Sequence, residues 1–216
     1  MSSSALRTTL ENVYGVLFRE WGAQGWWPGE GPFEMMIGAI LTQNTAWANV
    51  EKAITGLRRA KLLTVAGIHG VSHSLLVELI RPVGYFNLKA RRLRNLTDYI
   101  YQRHEGSLKE MFSLETDVLR RELLSVNGIG PETADSILLY AGERPVFVVD
   151  AYTRRVLSRH NWIAGVETYE QVARLFVATL PEDAQLYNEF HALIVRLCKE
   201  HCGKNAKCDG CPLEGY

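Results

Sequence analysis

At 216 residues, with 47% apolar and 22% charged side chains and no net charge, the sequence has the composition of one ordinary domain or two small lobes. No apolar run approaches the roughly 20 residues of a membrane span. The opening MSSSALRTTLENVYGV lacks the basic start, apolar stretch and small-residue cleavage site of an export signal, so the expectation is a cytoplasmic protein without membrane contact.

From the N-terminus, Leu6, Leu10, Val13, Val16 and Leu17 fall on one stripe and predict an amphipathic opening helix. GWWPGEGP (25–32) is rich in helix breakers and reads as a loop. FEMMIGAILTQ (33–43) is apolar almost all round, which predicts a buried helix. A further helix follows Thr45 to about Lys61. The same periodicity predicts helices near 73–80, 87–103, 115–125, 131–141, 151–158, 168–179 and 184–201. VFVV (146–149) is β-branched but has no partner run, so it reads as an extended buried connector. The chain is expected to be all-α. Its charge is unevenly spread, with six basic residues and the single acid Asp98 between Arg81 and Arg103. Such a strip is either a solvated helix face or a phosphate-binding surface, because screening over about 8 Å lets the near field decide.

VNGIGPETA (126–134) sets Gly128 and Gly130 on either side of one apolar residue, ahead of Pro131 and a helix. Two glycines allow positive φ and close backbone approach, and Pro131 suits a first helical turn, where its missing N–H is no loss. The pattern reads as a helix–hairpin–helix whose amides and helix dipole seat a phosphate, or as a plain αα-hairpin. Asp150 emerges from VFVV and precedes AYTRR. It reads as a fixed carboxylate, and the same side chain can N-cap the helix beginning near Ala151.

Taken together, the hairpin and Asp150 resemble the hairpin–Gly/Pro–Asp signature of the endonuclease III superfamily of DNA glycosylases, here spanning Val126 to Asp150. The likeness runs from about residue 10 to the C-terminus. It implies a single glycosylase unit of two helical lobes, 25–142 with the helix–hairpin–helix and 1–24 plus 143–216, with the active site in the cleft between them. It also implies that the amides around Gly128 and Gly130 hold a phosphate of damaged double-stranded DNA, and that the protein works as a monomer at the nucleoid. Asp150 takes the position of the aspartate that assists N-glycosidic cleavage. A carboxylate there stabilises the positive charge that grows on the sugar and steers the attacking water. Strand-cutting members carry a lysine two residues after the second hairpin glycine, for Schiff-base chemistry. Here that residue is Glu132, which cannot form an imine. The expectation is a monofunctional glycosylase.

Two further segments join the likeness, GAILTQNTAWANV (38–50) and RPVGYFNLKARRL (81–93). The family glutamine that Gln43 resembles fills the gap left by the extruded nucleotide, where an amide can both donate and accept. The second segment resembles the loop that supplies an opposing wedge, Tyr85 or Phe86. Asn87, Lys89 and Arg154 are further candidates for DNA contact. WWP (26–28), AILTQNT, Trp47, RPVGYFN and GIGPETAD together most resemble the endonuclease III-like 3-methyladenine DNA glycosylases. That likeness implies that Trp26 and Trp47 sandwich the flipped base, with Glu132 in the same pocket. Indole faces attract a cationic N-methylated purine by about 0.5–2 kcal/mol. As large apolar side chains, the two tryptophans also suit an ordinary core.

All four cysteines lie in the last 19 residues, with Cys198, Cys202, Cys208 and Cys211 at spacings x3, x5 and x2. Four close thiols without an export signal argue for a metal over disulfides. Cys198 and Cys202 stand at i and i+4 on the last predicted helix. Many endonuclease III relatives carry a [4Fe–4S] cluster here, with spacings x6, x2 and x5. Cys202, Cys208 and Cys211 match the first three ligands with one residue deleted; the family's fourth cysteine would fall just beyond Tyr216, so either Cys198 supplies that ligand from the other side or the set lacks one. Zinc is the alternative for an all-thiolate set. The metal is expected to hold a basic loop, with Lys199, Lys204 and Lys207, against DNA while Pro212 and Leu213 close that loop onto the helices.

The function expected is base excision repair of N-alkylated purines such as 3-methyladenine. Three other functions fit parts of the pattern. One is a bifunctional glycosylase/AP lyase for oxidised pyrimidines, which Glu132 opposes. A second is a mismatch-directed glycosylase. The third is a non-catalytic helix–hairpin–helix DNA-binding module with a structural metal, from which Asp150 separates the enzymes.

Overall fold

A computed structural model describes the backbone of residues 3–216 and the side chains from Arg7 onward. Met1, Ser2 and the side chain of Leu6, expected on the first stripe, lie outside the described residues. Among the described residues are twelve α-helices and no strand, in agreement with the all-α expectation. They are α1 (Ser3–Trp21), α2 (Pro32–Leu41), α3 (Trp47–Arg59), α4 (Val65–Gly70), α5 (His73–Leu79), α6 (Phe86–His104), α7 (Leu108–Phe112), α8 (Thr116–Ser125), α9 (Pro131–Ser136), α10 (Ala151–Arg159), α11 (Tyr169–Val177) and α12 (Ala184–Glu200). None of them is long and apolar enough to cross a membrane. The chain divides into two compact units: Pro28–Gly142 forms one, and the segments before and after it form the other.

The Pro28–Gly142 unit is built around α2. From Phe33 to Leu41 every residue of α2 except Met35 is buried, as its all-round apolar sequence implies. It packs against α3, α6, α9 and the π-helical turn Ile137–Ala141 that continues α9. Its one buried charge, Glu34, is held by Arg58, with Nη2 and Oε2 2.6 Å apart. Two helices here escape the apolar periodicity, α4 and α7, because five or six residues are too few to display it. Each instead begins at a capping hydroxyl: Thr64 accepts from the Gly67 amide, and Ser107 from that of Glu110. Across the hairpin, α8 and α9 are tied by a two-pronged contact between the Arg120 guanidinium and the buried Asp135 carboxylate, at 2.6 and 3.0 Å.

In the other unit α1 packs on α12, burying Leu10, Val13 and Leu17 and half-burying Val16. The connector is extended and unpaired as expected, and Phe147, Val148 and Val149 are buried. Phe147 stacks on Phe176 with ring centroids 3.6 Å apart and meets Phe190 edge-on at 6.1 Å. Each such aromatic contributes about 1.5–3 kcal/mol by burial. This anchors the residue that follows the connector, Asp150. A capping box, Thr168 with Gln171, opens α11, and Asp183 caps α12.

Candidate functional site

The hairpin between α8 and α9 uses its two glycines differently. Gly128 sits at φ 97°, in the region that favours glycine, and a Cβ on it would stand 2.3 Å from Arg92 Cγ. The Arg92 stem therefore lies directly against it. Gly130 does not use that freedom: its φ is −95°, and a Cβ there would meet nothing within 4 Å. Gly130 leaves open space before the start of α9 rather than making the turn. Pro131 opens α9, and Glu132, next in line, is exposed. Its carboxylate lies in the first turn, where the helix dipole favours an anion.

Gln43, expected to reach into DNA, is engaged with this hairpin. Its Nε2 donates to the Gly128 carbonyl at 3.2 Å and to Thr133 Oγ1 at 2.8 Å, while Oε1 accepts from Arg92 Nη1. One turn further along α6, Asn95 donates to the Asn127 carbonyl at 2.9 Å. Ahead of α6, Tyr85 takes a left-handed conformation (φ 44°) and is 73% exposed. Phe86 is half-buried with the Arg81 guanidinium 5.5 Å over its ring, so of the two aromatics Tyr85 is the one that projects. Asn87 is exposed in the first turn of α6. Lys89 corrects the expectation of a DNA contact. It is only 1% exposed, with its Nζ bonded to the Leu41 carbonyl at 2.9 Å, the Val83 carbonyl at 3.0 Å and Thr45 Oγ1. Its place on the inner face of α6 removes it from any phosphate.

Trp47, the first residue of α3, is half-buried and donates from Nε1 to Glu51 Oε1 at 2.9 Å. It lines a groove of about 360 Å³ with Pro28, Gly29, Ile54 and Arg58. In the other unit, Trp26 is half-buried, meets Trp27 edge-on at 5.8 Å and has the Lys199 ammonium 5.5 Å over its ring. Lys199, expected in a loop held against DNA, is thus engaged by an indole face. That contact is itself a cation–π pair.

Asp150 follows the buried connector and N-caps α10, with Oδ1 accepting from the Thr153 amide at 2.8 Å. Oδ2 lies 3.5 Å from Nε2 of His191 on α12, and the carboxylate side chain is 15% exposed. Burial pushes the Asp150 carboxyl up, but the neighbouring His191 and the Thr153 donor outweigh burial and hold it below its ordinary 3.8. It is therefore an oriented carboxylate, ionised at neutral pH. Sequence reasoning missed His191. The available signal was an ionisable residue on the buried stripe Tyr187, Phe190, Ile194 of α12. It missed Arg92 as the partner of Gln43 too, for which no local pattern exists. Arg154, expected at DNA, is half-buried and donates to the Glu167 carbonyl at 2.9 Å.

The cysteines do not form the expected four-thiol set. Cys202, Cys208 and Cys211 line one cavity of about 240 Å³, together with His201 and Tyr216. The Cys198 thiol instead donates to the Tyr152 carbonyl, and burial followed by the neighbouring Cys202 pushes its pKa up to about 12. Cys198 and Cys202 remain neighbours across the end of α12 at Glu200. Among the described residues, no three His, Cys, Asp or Glu side chains converge as a metal site. Cys202, Cys208 and Cys211 share the lining of this cavity without converging as a ligand set, and the Cys198 thiol turns to the Tyr152 carbonyl. The loop is held by the protein itself: Arg159 donates to Cys202 Sγ at 3.1 Å and to the Gly203 and Lys204 carbonyls at 2.7 and 2.9 Å. Leu213 is buried, as expected of the closing segment.

Residues 37–182 match the family model described as HhH-GPD superfamily base excision DNA repair protein. The chain is 48% identical over 206 residues to "Putative DNA repair glycosylase MJ1434" of Methanocaldococcus jannaschii, covering 94% of this chain and 93% of that one. Among solved structures, it is similar to the H. pylori 3-methyladenine DNA glycosylase (MagIII) bound to 1,N6-ethenoadenine. That match has a TM-score of 0.75 at 31% identity, over 93% of this chain and 98% of the other. A non-covalent endonuclease III–DNA complex shares the fold at TM-score 0.80 and 23% identity, over 99% of this chain and 94% of that one.

Proposed function

Because the chain belongs to the HhH-GPD superfamily of base excision DNA repair proteins, we propose that it is a monofunctional DNA glycosylase for N-alkylated purines such as 3-methyladenine. Its substrate is damaged double-stranded DNA, and it acts as a monomer. The observation that carries this reading is Asp150, a largely buried carboxylate held at both oxygens and kept ionised. A DNA-binding module would use such a group only as the cap of α10. A glycosidic bond breaking at C1′ of deoxyribose has a use for its charge.

Asp150 faces the sugar and stabilises the oxocarbenium-like charge that develops as the base departs. The same carboxylate orients the water that adds to C1′ and takes its proton. An N-methylated purine carries positive charge and is already a good leaving group, so little acid catalysis at the base is required. The indoles of Trp26 and Trp47 offer the electron-rich faces such a base favours, and the cation already seated on Trp26 supports that property. The likeness to a 3-methyladenine DNA glycosylase favours the same substrate class. The Gly128–Gly130 hairpin holds the phosphate, and Gln43 and Tyr85 occupy the space that the extruded nucleotide leaves.

A lyase needs an accessible amine. Glu132 stands exposed where family members of that kind have one, and Lys89, whose pKa is lowered by burial and by Arg92 to about 8, is sealed among three acceptors. Incubation with methylated, uracil-, thymine-glycol- and mismatch-containing duplexes, with identification of the liberated base, tests the activity. Release of a methylated purine without strand cleavage is the expected result. Release from thymine-glycol DNA with strand cleavage would favour the bifunctional reading. A metal, [4Fe–4S] or zinc, would be held by Cys202, Cys208 and Cys211 and would pin the C-terminal loop. It has no part in the glycosidic step.

A further inference from the structure

The four C-terminal carbonyls of a helix lack intrahelical partners and carry the negative end of its dipole. Leu41 is the last residue of α2, and its carbonyl receives the Lys89 ammonium at 2.9 Å. The same ammonium donates to the Val83 carbonyl at 3.0 Å and to Thr45 Oγ1, and that hydroxyl itself donates to Val83 O at 2.6 Å. Leu41 and Thr45 flank Gln43, and Val83 lies two residues before Tyr85. A single nitrogen thus joins the two turns that present those side chains. Arg92 and Asn95 follow Lys89 at three-residue steps on one face of α6 and reach Gln43 and the hairpin carbonyl of Asn127.

The geometry points to Lys89 as a positioning residue: its buried ammonium fixes the Gln43 turn relative to the Tyr85 turn, so that both side chains meet one duplex at a damaged site. This inference rests on the proposed reading of both turns as DNA-facing. Lys89 touches neither substrate nor reacting atoms; it acts through the backbone of the turns. A neutral side chain of the same length would leave Leu41 O, Val83 O and Thr45 Oγ1 without their shared donor, and misplacement by about 1 Å can cost up to a hundredfold.

The charge gives the inference a chemical signature. Burial, then Arg92, lowers the Lys89 pKa to about 8. Arg92, on the same helix, is the charged side chain facing it. The Leu41–Thr45 and Arg81–Val83 turns face it with carbonyls and a hydroxyl, and the Arg81 guanidinium lies over Phe86. If the positioned turns need the protonated amine, affinity for a damaged site falls as pH rises through the pKa of the free protein.

The test is a pair of affinities, for a duplex bearing an abasic-site analogue and for the same duplex undamaged, measured from about pH 6.5 to about pH 9.5. Their ratio cancels changes in general phosphate binding. In the wild type the ratio should fall with a midpoint near about 8. In Lys89→Met it should be roughly tenfold lower at neutral pH and flat above it, with undamaged-duplex affinity changed less than about twofold. Thermal unfolding monitors the fold. Thr45→Val, which removes only the shared hydroxyl, should lower the ratio by a smaller factor and serves if Lys89→Met does not fold. A ratio unchanged in both variants, a parallel loss of undamaged-duplex affinity, or a wild-type ratio independent of pH overturns the inference. Base release from methylated DNA is followed alongside. Its absence in the wild type would remove the proposed activity and leave the coupling standing, whereas an unchanged ratio removes the coupling alone.

Discussion

His191 Nε2 stands 3.5 Å from Asp150 Oδ2 while the Thr153 amide donates to Oδ1 at 2.8 Å, so the carboxylate that caps α10 is fixed by the helix it caps and by α12. A carboxylate whose folded pKa is depressed adds stability that is present above its unfolded value and lost as pH falls through the folded one. For Asp150 that window lies below 3.8. The wild type should therefore keep this contribution, and an ionised Asp150, down to about pH 5. In His191→Leu, burial acts with less opposition, the carboxyl pKa rises, and the acid limb of base release moves to higher pH. Single-turnover release from about pH 4 to about pH 8 reads that shift. An unmoved limb would reduce His191 to packing.

The two hairpin glycines should part company on substitution. Gly128→Ala places a methyl at positive φ and 2.3 Å from Arg92 Cγ, so it should cost on the order of 1–3 kcal/mol of stability and disturb Gln43 through Arg92. Gly130→Ala meets no clash at φ −95° and should leave stability within about 1 kcal/mol. Its methyl fills the space before the α9 amides, and affinity for undamaged duplex should fall roughly tenfold. Chemical denaturation and a binding titration on each variant separate the two effects. Equal behaviour would deny the hairpin its proposed phosphate.

The helices were legible in the sequence wherever ten or more residues displayed an apolar period, as in α2, α6 and α12. The six- and five-residue helices α4 and α7 were not, since their beginnings rest on single hydroxyl caps. Asp150 was legible because a buried connector delivering an acid to a helix start is a local pattern. Its partner His191 stands 41 positions away, and the pairing depends on how α12 packs. Lys89 misled for a physical reason. A lysine in a basic stretch reads as solvated, yet its position on α6 faces the carbonyl end of α2, which draws a cation inward. Cys198 does keep Cys202 as a neighbour, but its thiol turns to the Tyr152 carbonyl, a contact that cysteine spacing does not encode.

The cysteines should sort into two classes. Purified Cys208→Ser and Cys211→Ser should lose bound metal relative to wild type, because both thiols line the cavity with Cys202. Cys198→Ser should retain it, since that thiol is spent on the Tyr152 carbonyl. Metal content and visible absorbance of the three variants decide the matter. Parallel loss in Cys198→Ser would restore the four-thiol set.

Glu132 should be replaceable by an amine with a change of chemistry. Wild type should give no borohydride-trapped adduct with abasic DNA, because a carboxylate forms no imine. Glu132→Lys, at an exposed position in the first turn of α9, should form one detectable as a slower-migrating covalent complex. Trapping by the wild type would assign the amine to another residue and end the monofunctional reading.

The central claim is that Asp150 acts on the sugar as a fixed carboxylate, and single-turnover release of 3-methyladenine from methylated duplex by Asp150→Asn beside wild type tests it most directly. Asparagine still caps α10, so the variant should fold and bind an abasic-site duplex as wild type does while its release rate drops by about 10²–10⁴. Wild-type release rates in Asp150→Asn, or no base liberated by wild type from any damaged duplex, would contradict it.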